Sequence, residues 1–293
     1  MSDVPSVFCV VLNWNGWRDT IACLAALKNV DYPRMTVLVV DNCSTDASVI
    51  NIENAFPDVD LIASGSNGGF SAGNNIGIRV ALERGADFIW LLNNDALPDA
   101  GALRALIRRA ALQPRAGAIG SVLSYAHDPS QIQAWGGGRV NIWIGRAVHA
   151  KTAMRDDWFD YLTAASVLLR SSVLKRVGLL DEDFFLYWED TDLGFRFRKA
   201  GVALSVAEDS HVLHKEHAST GSGTVTQQRY IVASGIRFLL KHAPRPWLSV
   251  PLYIAFEFTK NVLKMKPALI RGLFCGVGDY FRRQRYLRGI HGA

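Results

Sequence analysis

Three short apolar runs, each closing on Asn or Asp, constrain this chain more than any other feature. Residues 7–12 (VFCVVL) run into Asn13, residues 36–40 (TVLVV) into Asp41 and residues 88–92 (FIWLL) into Asn93. Unbroken apolar runs of this length predict strands buried on both faces. The stretches between them carry helical signals. Ile21, Leu24 and Leu27 share a helical spacing within 18–28. Ser44 reads as an N-cap for a helix reaching about Ala55, and a further helix is expected over 71–84. Pro98 reads as a first-turn proline of a helix ending near Leu112. Residues 60–63 add a weaker strand. The order β-α-β-α-β-α-β-α predicts an α/β fold, a mostly parallel sheet joined by right-handed crossovers.

The pattern changes after residue 117. Short strands are expected around Gly136-Gly137-Gly138, with others over 162–169 and 202–206. A helix should run from near Glu189 to a C-cap at Gly201. From Gln227 onward the chain reads as helical and basic. The 293 residues suit one large domain, placed at 1–241, with a helical basic appendage at 242–293. With 49% hydrophobic and 20% charged residues, disorder is excluded as the default state. The net charge of +5 admits anionic partners, and Lys260, Lys264, Lys266, Arg271, Arg282, Arg283, Arg285 and Arg288 concentrate it late in the chain. Cys9, Cys23, Cys43 and Cys275 form no C-x-x-C pair, which favours a reducing compartment. No basic region precedes the first strand, so no secretory leader is expected. The apolar stretch 247–256 is too short to span a bilayer. A cytoplasmic protein is the expectation.

In open parallel sheets, ligands sit beyond the carboxyl ends of the strands. Asn13, Asp41 and Asn93-Asn94-Asp95 fall at those ends. Asp41-Asn42 suits base and ribose recognition, because a carboxylate accepts hydrogen bonds from N–H and hydroxyl groups. The turn from Asn67 through Gly68, Gly69 and Gly73 to Asn74 and Asn75 opens a helix and offers backbone N–H groups to an anion. It is neither G-x-G-x-x-G nor a P-loop, which removes the main support for a dinucleotide dehydrogenase or a P-loop kinase. Asp95 can hold a divalent cation that also grips a diphosphate, and hard oxygen ligands suit Mg2+ or Mn2+. Asp181-Glu182-Asp183 and Glu189-Asp190-Thr191-Asp192 flank Phe184, Phe185, Leu186, Tyr187 and Trp188. The aromatic run, ending at Trp188 and Glu189, reads as a wall for a sugar or acceptor ring. Asp190, near a helix start, can take a proton from an acceptor hydroxyl. Asp192 is assigned to an i,i+4 pair with Arg196. His211, His214 and His217 recur every third residue, and one of them completing a mostly oxygen metal site is preferred to a zinc site.

These residues resemble glycosyltransferase family 2 of the GT-A fold, in its rhamnosyltransferase-like branch. The resemblance rests on VVLNWNG (10–16), VDNCSTD (40–46), NGGFSAGNN (67–75), LLNNDA (91–96), GLLDEDFFLYWEDTDLGFRFRKAG (178–201) and HKEHAST (214–220). It covers roughly residues 7–241. It implies a GT-A-like, Rossmann-type sheet and an inverting displacement. Asp190 aligns with the catalytic base, Asp95 with the metal-binding aspartate and His214 with a histidine that holds metal or diphosphate. Asp41, Asn67 and Gly69 match donor contacts, and Asn13, Asn74 and Asn94 are grouped with them. Asn93 stands in place of the first acid of the D-x-D-type motif, and His217 where a glycine is more usual. The implied donor is dTDP-rhamnose, with UDP-hexose or UDP-N-acetylhexosamine as alternatives. The implied acceptor is a saccharide or lipid-linked saccharide in surface polysaccharide synthesis, reached from an anionic membrane surface and not from nucleic acid. A nucleotidyltransferase would carry a glycine-rich basic loop where Asn13-Trp14-Asn15-Gly16 stands. A non-catalytic sugar- or lipid-binding protein of the same fold is the other alternative.

Overall fold

The computed structural model describes residues 4–215 and 223–291, with side chains as far as Arg282. Strand β1 (Val7–Asn13), helix α1 (Trp17–Leu27), β2 (Met35–Asp41), α2 (Ser48–Ala55), β3 (Asp60–Ala63), α3 (Gly69–Glu83) and β4 (Phe88–Asn93) alternate as the apolar runs predict. Then come β5 (Ala96–Pro98), α4 (Ala102–Leu112), β6 (Ala116–Tyr125), β7 (Asp128–Trp135), β8 (Gly137–Asn141), β9 (Arg146–His149), β10 (Tyr161–Leu162) and β11 (Ser166–Arg170). The chain continues through α5 (Ser171–Val177), α6 (Glu189–Lys199), β12 (Ala203–His214), α7 (Val225–His242), α8 (Pro246–Leu263) and α9 (Pro267–His291). His217 lies outside the described residues.

The main sheet has the order β3-β2-β1-β4-β11-β6-β12-β5, with β7 added on β6. It is parallel from β3 to β4, and β11 then runs antiparallel to both β4 and β6. The sheet is therefore mixed beyond the alternating first half. Its core is apolar on both faces. Trp90 is fully buried and donates from Nε1 to Ser166 Oγ at 3.0 Å. Ser166 in turn joins Ser121 and Ser210 in a buried hydroxyl chain across β11, β6 and the bulge of β12. Helix α3 reaches this sheet only because two of its residues lack side chains. A Cβ at Gly73 would stand 2.5 Å from Leu12 Cδ1, and one at Gly77 would stand 2.5 Å from Val10 Cγ1.

Two sequence expectations change here. Helix α2 starts at Ser48, not after a Ser44 cap. Ser44 Oγ instead donates to Asp41 Oδ1 at 2.6 Å. Pro98 ends strand β5 opposite Val212, and α4 begins only at Ala102. Proline is tolerated there because β5 lies at the sheet edge.

By packing, the chain divides into two compact units. One holds the main sheet and α1 to α6. The other gathers Val140–Ala147, Phe184–Glu189 and helices α7 to α9. Within this second unit α8 is turned inside out. Its buried positions, Ser249, Tyr253, Glu257 and Asn261, recur every fourth residue and are mostly polar. Gln228 Nε2 donates to Glu257 Oε2 at 2.7 Å, and Tyr253 donates to the Ile231 carbonyl at 3.2 Å. Trp247, Leu252, Phe258, Val262 and Leu263 face outward. Among the described residues no helix is long and apolar enough to cross a membrane.

Candidate active site

Register places the strand-end residues side by side. Asn13 pairs with Asp41 across β1 and β2, and Leu12 pairs with Asn93 across β1 and β4. Asn13 is the hub. It donates from Nδ2 to Asp41 Oδ1 at 2.8 Å and accepts at Oδ1 from Thr20 Oγ1 at 2.7 Å. Asn94 Nδ2 donates to Thr20 Oγ1 at 3.1 Å, so Asn13, Asp41 and Asn94 belong to one network. Asp41 is buried, and the Ser44 amide donates to its second oxygen at 2.9 Å. The site roles of Ser44 and Thr20 were missed in the sequence, because Ser44 reads there as a helix N-cap and a threonine on a helix carries no distinct signal.

The glycine-rich turn is braced by asparagines. Asn67 Oδ1 accepts from Asn42 Nδ2 and from the Gly69 amide, both at 3.0 Å. Gly69 has φ +82°, which a side chain would strain. Asn42 Oδ1 is buried without a hydrogen-bond partner among the described residues. Asn74 turns its amide to the Phe70 carbonyl at 2.9 Å, within its own helix. Asn75, which drew no separate attention in the sequence, exchanges hydrogen bonds with Leu180 and donates to Glu182 Oε1 at 2.9 Å. Glu182 also pairs with Arg79, so this acid has a structural task.

Asp95 follows β4 by two residues, and His214 ends β12, which pairs with β5. The two side chains are buried, with Asp95 Oδ1 3.1 Å from His214 Nε2. Asn93 Nδ2 also lies 3.2 Å from Nε2, and Gln133 Oε1 lies 2.7 Å from Nδ1. Burial works against the Asp95 charge. The hydrogen bond and charge of His214 outweigh it and hold the carboxyl below its ordinary value. Among the described residues no three His, Cys, Asp or Glu side chains gather to hold a metal alone. One carboxylate beside one imidazole nevertheless suits Mn2+, and Mg2+ with more oxygen from a diphosphate and water. His211 lies three residues earlier on the same strand and is exposed.

Asp190 is the second residue of α6. Its Oδ2 accepts from the Ala164 amide at 3.2 Å and its Oδ1 from the Thr191 amide at 2.6 Å. The next residue, Ala165, accepts at its carbonyl from the Asn93 amide at 3.0 Å. One short loop thus ties Asp190 to the end of β4. Apolar residues including Leu91, Leu162, Leu193 and Phe197 line a small gap against Asp190. This burial pushes its carboxyl above the ordinary value, although Ala164, His149 and Thr191 pull it down. Tyr187 (φ +66°) and Trp188 (φ +71°) precede the helix in left-handed conformations rare for non-glycine residues. Asp192 pairs with Arg196 Nε at 2.7 Å as expected, and Arg196 also donates to the Leu179 carbonyl at 2.6 Å. The Trp188 ring lies 4.8 Å from that of Phe238, and Phe185 stacks on Tyr230. Trp188 and Glu189 are both buried, so the aromatic run packs against α7 in the second unit.

A mixed sheet of this order, with amide and carboxylate side chains at the carboxyl ends of its parallel strands, is the GT-A architecture of glycosyltransferases. The solved mannosyltransferase PcManGT from Pyrobaculum calidifontis, in complex with GDP-Man and Mn2+, shares it with a TM-score of 0.61 at 17% identity. The likeness covers 95% of this chain and 75% of that one. The family description "Glycosyltransferase like family 2" matches residues 5–230, and the chain belongs to that family. It is 29% identical over 224 residues to the N-acetylglucosaminyl-diphospho-decaprenol L-rhamnosyltransferase of Mycobacterium tuberculosis, covering 68% of this chain and 72% of the relative. It is 24% identical over 251 residues to the rhamnosyltransferase WbbL of Escherichia coli K12, covering 80% and 93%.

Proposed function

We propose that the protein is an inverting, metal-assisted rhamnosyltransferase. It moves L-rhamnose from dTDP-rhamnose to a hydroxyl of a lipid-linked saccharide during surface polysaccharide synthesis. The observation that carries the metal-assisted reading is the buried Asp95–His214 contact at 3.1 Å. Two rhamnosyltransferase relatives support the sugar, and the acceptor named for one of them supports a lipid-linked partner. The chemistry is assigned to residues 1–241 and membrane contact to 242–293.

Asp95 and His214 would hold the cation. When bound, Mg2+ or Mn2+ neutralises the charge of the departing diphosphate. The Asp190 carboxylate accepts the proton of the acceptor hydroxyl while that oxygen attacks the anomeric carbon from the face opposite the diphosphate. Asn13, Asp41 and Asn94 form the polar floor of the donor site. The helix start at Asn67 and Gly69 would offer backbone amides to an anion, with Asn74 in the same helix assigned to the donor side. Trp188 and Glu189, which precede Asp190 in sequence, are assigned to the acceptor side.

The test is a transfer assay with dTDP-rhamnose, UDP-hexoses and UDP-N-acetylglucosamine, with and without Mn2+, on a polyprenyl-diphosphate N-acetylglucosamine acceptor. Rhamnosyl transfer that needs the cation is the expected result. Transfer from a UDP sugar alone would replace the donor. Pyrophosphate release from a nucleoside triphosphate and a sugar phosphate would mean a nucleotidyltransferase. Donor binding with neither transfer nor hydrolysis would leave a binding protein.

A further inference from the structure

The β6–β7 ladder breaks register beside His214. Leu123 pairs with Ala134 and Ser124 with Ile132, so Gln133 is the extra residue of a β-bulge. In regular alternation Gln131 and Gln133 would share a face. Gln131 is exposed, whereas Gln133 is turned inward and is only 5% exposed. Bulges beside sites commonly re-aim one side chain in this way. Lys151 holds this bulge in place, because its Nζ donates to the carbonyls of Gln133 at 2.8 Å and Ile132 at 3.2 Å.

The chemistry at His214 follows from that placement. Gln133 Oε1, 2.7 Å away, accepts from Nδ1–H. Nε2 faces the Asn93 amide group and Asp95 Oδ1. A ring without a proton at Nδ1 would leave Gln133 Oε1 buried against a bare ring nitrogen, at the cost of an unmade hydrogen bond.

We propose that Gln133 is a positioning residue that accepts from Nδ1–H and thereby fixes the ring orientation of His214, so that Nε2 faces Asp95. The consequence for a cation rests on the reading of Asp95 and His214 given above.

The experiment records the ring 15N shifts of the metal-free, histidine-labelled full chain, with His214 assigned by a His214→Gln variant. The wild type is expected to show a protonated Nδ1 at His214. Gln133→Leu should lose that pattern, and Gln133→Glu, which keeps an acceptor oxygen, should keep Nδ1 protonated. Mn2+ titrations followed by electron paramagnetic resonance, with a nucleoside diphosphate present, should show affinity falling ~10–100-fold in Gln133→Leu and recovering in Gln133→Glu. An unprotonated Nδ1 in the wild type overturns the proposal without any Gln133 variant having to fold. So does a folded Gln133→Leu that keeps the wild-type ring pattern. If the wild type binds no Mn2+, the cation reading falls, and the ring spectra still decide the role of Gln133.

Discussion

Asp190 carries its charge against its surroundings. Burial against Leu91, Leu162 and Phe197 disfavours the ionised form, and two backbone amides restore only part of the loss. A base with a raised pKa binds the proton it accepts more tightly, which brings it closer to neutral operation. The expected consequence is a rising limb in kcat/KM against pH, centred above the ordinary Asp value. Above that limb Asp190 is ionised and competent, and below it the proton blocks the site. Asp190→Asn should lower turnover at least ~100-fold with donor binding little changed. Near-wild-type turnover in that variant would remove Asp190 from the chemistry. Asp95 makes a different prediction. Asp95→Ala should weaken Mn2+ dependence and nucleoside-diphosphate affinity together, because one cation would bridge both. His214→Ala should do so more mildly. Isothermal titration with and without Mn2+ checks this, and tight metal-independent donor binding in Asp95→Ala would contradict it.

At the scale of elements, the buried parallel strands were the most legible part of the sequence. VFCVVL, TVLVV and FIWLL must be shielded on both faces, and their polar ends then had only one edge on which to gather. The glycines of α3 extend that logic, since they let the helix close onto β1 and β2. Gly77→Ala should improve intrinsic helix propensity by about 1 kcal/mol. It also drives a methyl to 2.5 Å from Val10 Cγ1, between Val10 and Val40 in the core. Overpacking costs typically about 1–3 kcal/mol, so the net change should be a loss on the order of 1 kcal/mol, read as a lower denaturant midpoint. An unchanged or raised midpoint would show that β1 yields there. Other elements were illegible for physical reasons. Ser44 and Pro98 carry helix-start signals, but tertiary hydrogen bonding and the sheet edge claimed them. Gln133 was hidden because a bulge, invisible in a polar stretch, broke the alternation that would have exposed it. The inward polar stripe of α8 runs opposite to the usual amphipathic rule, so the apolar character of 247–258 said nothing about which face was covered.

The whole molecule divides its charge unevenly. From His242 onward nine Lys and Arg stand against two acids, whereas the rest of the chain carries a slight acidic excess. Among the described residues the three most exposed large apolar side chains lie in this basic stretch, with Trp247 71%, Leu263 79% and Met265 87% exposed. Lys264, Lys266 and Arg271 are exposed beside them, while Lys260 and Arg282 are engaged by Glu257 and Asp279. An apolar, Trp-bearing face flanked by unneutralised cations is the chemistry of a helix lying in an anionic interface. Each basic side chain near such a surface contributes about 1 kcal/mol, enough in combination for reversible attachment and weak enough to be screened by salt. Truncation near residue 245 would be a poor test, because α7 packs against α8 and α9 and would lose its cover. Replacing Trp247, Leu263 and Met265 together by Gln leaves the inward stripe of α8 untouched. Wild-type protein should float with phosphatidylglycerol vesicles at low salt, leave them at high salt and ignore phosphatidylcholine. The triple variant should lose most of that binding while retaining its thermal melting point and donor affinity. A wild type that ignores anionic vesicles even at low salt would end the membrane reading, and an unaffected triple variant would move the contact away from α8.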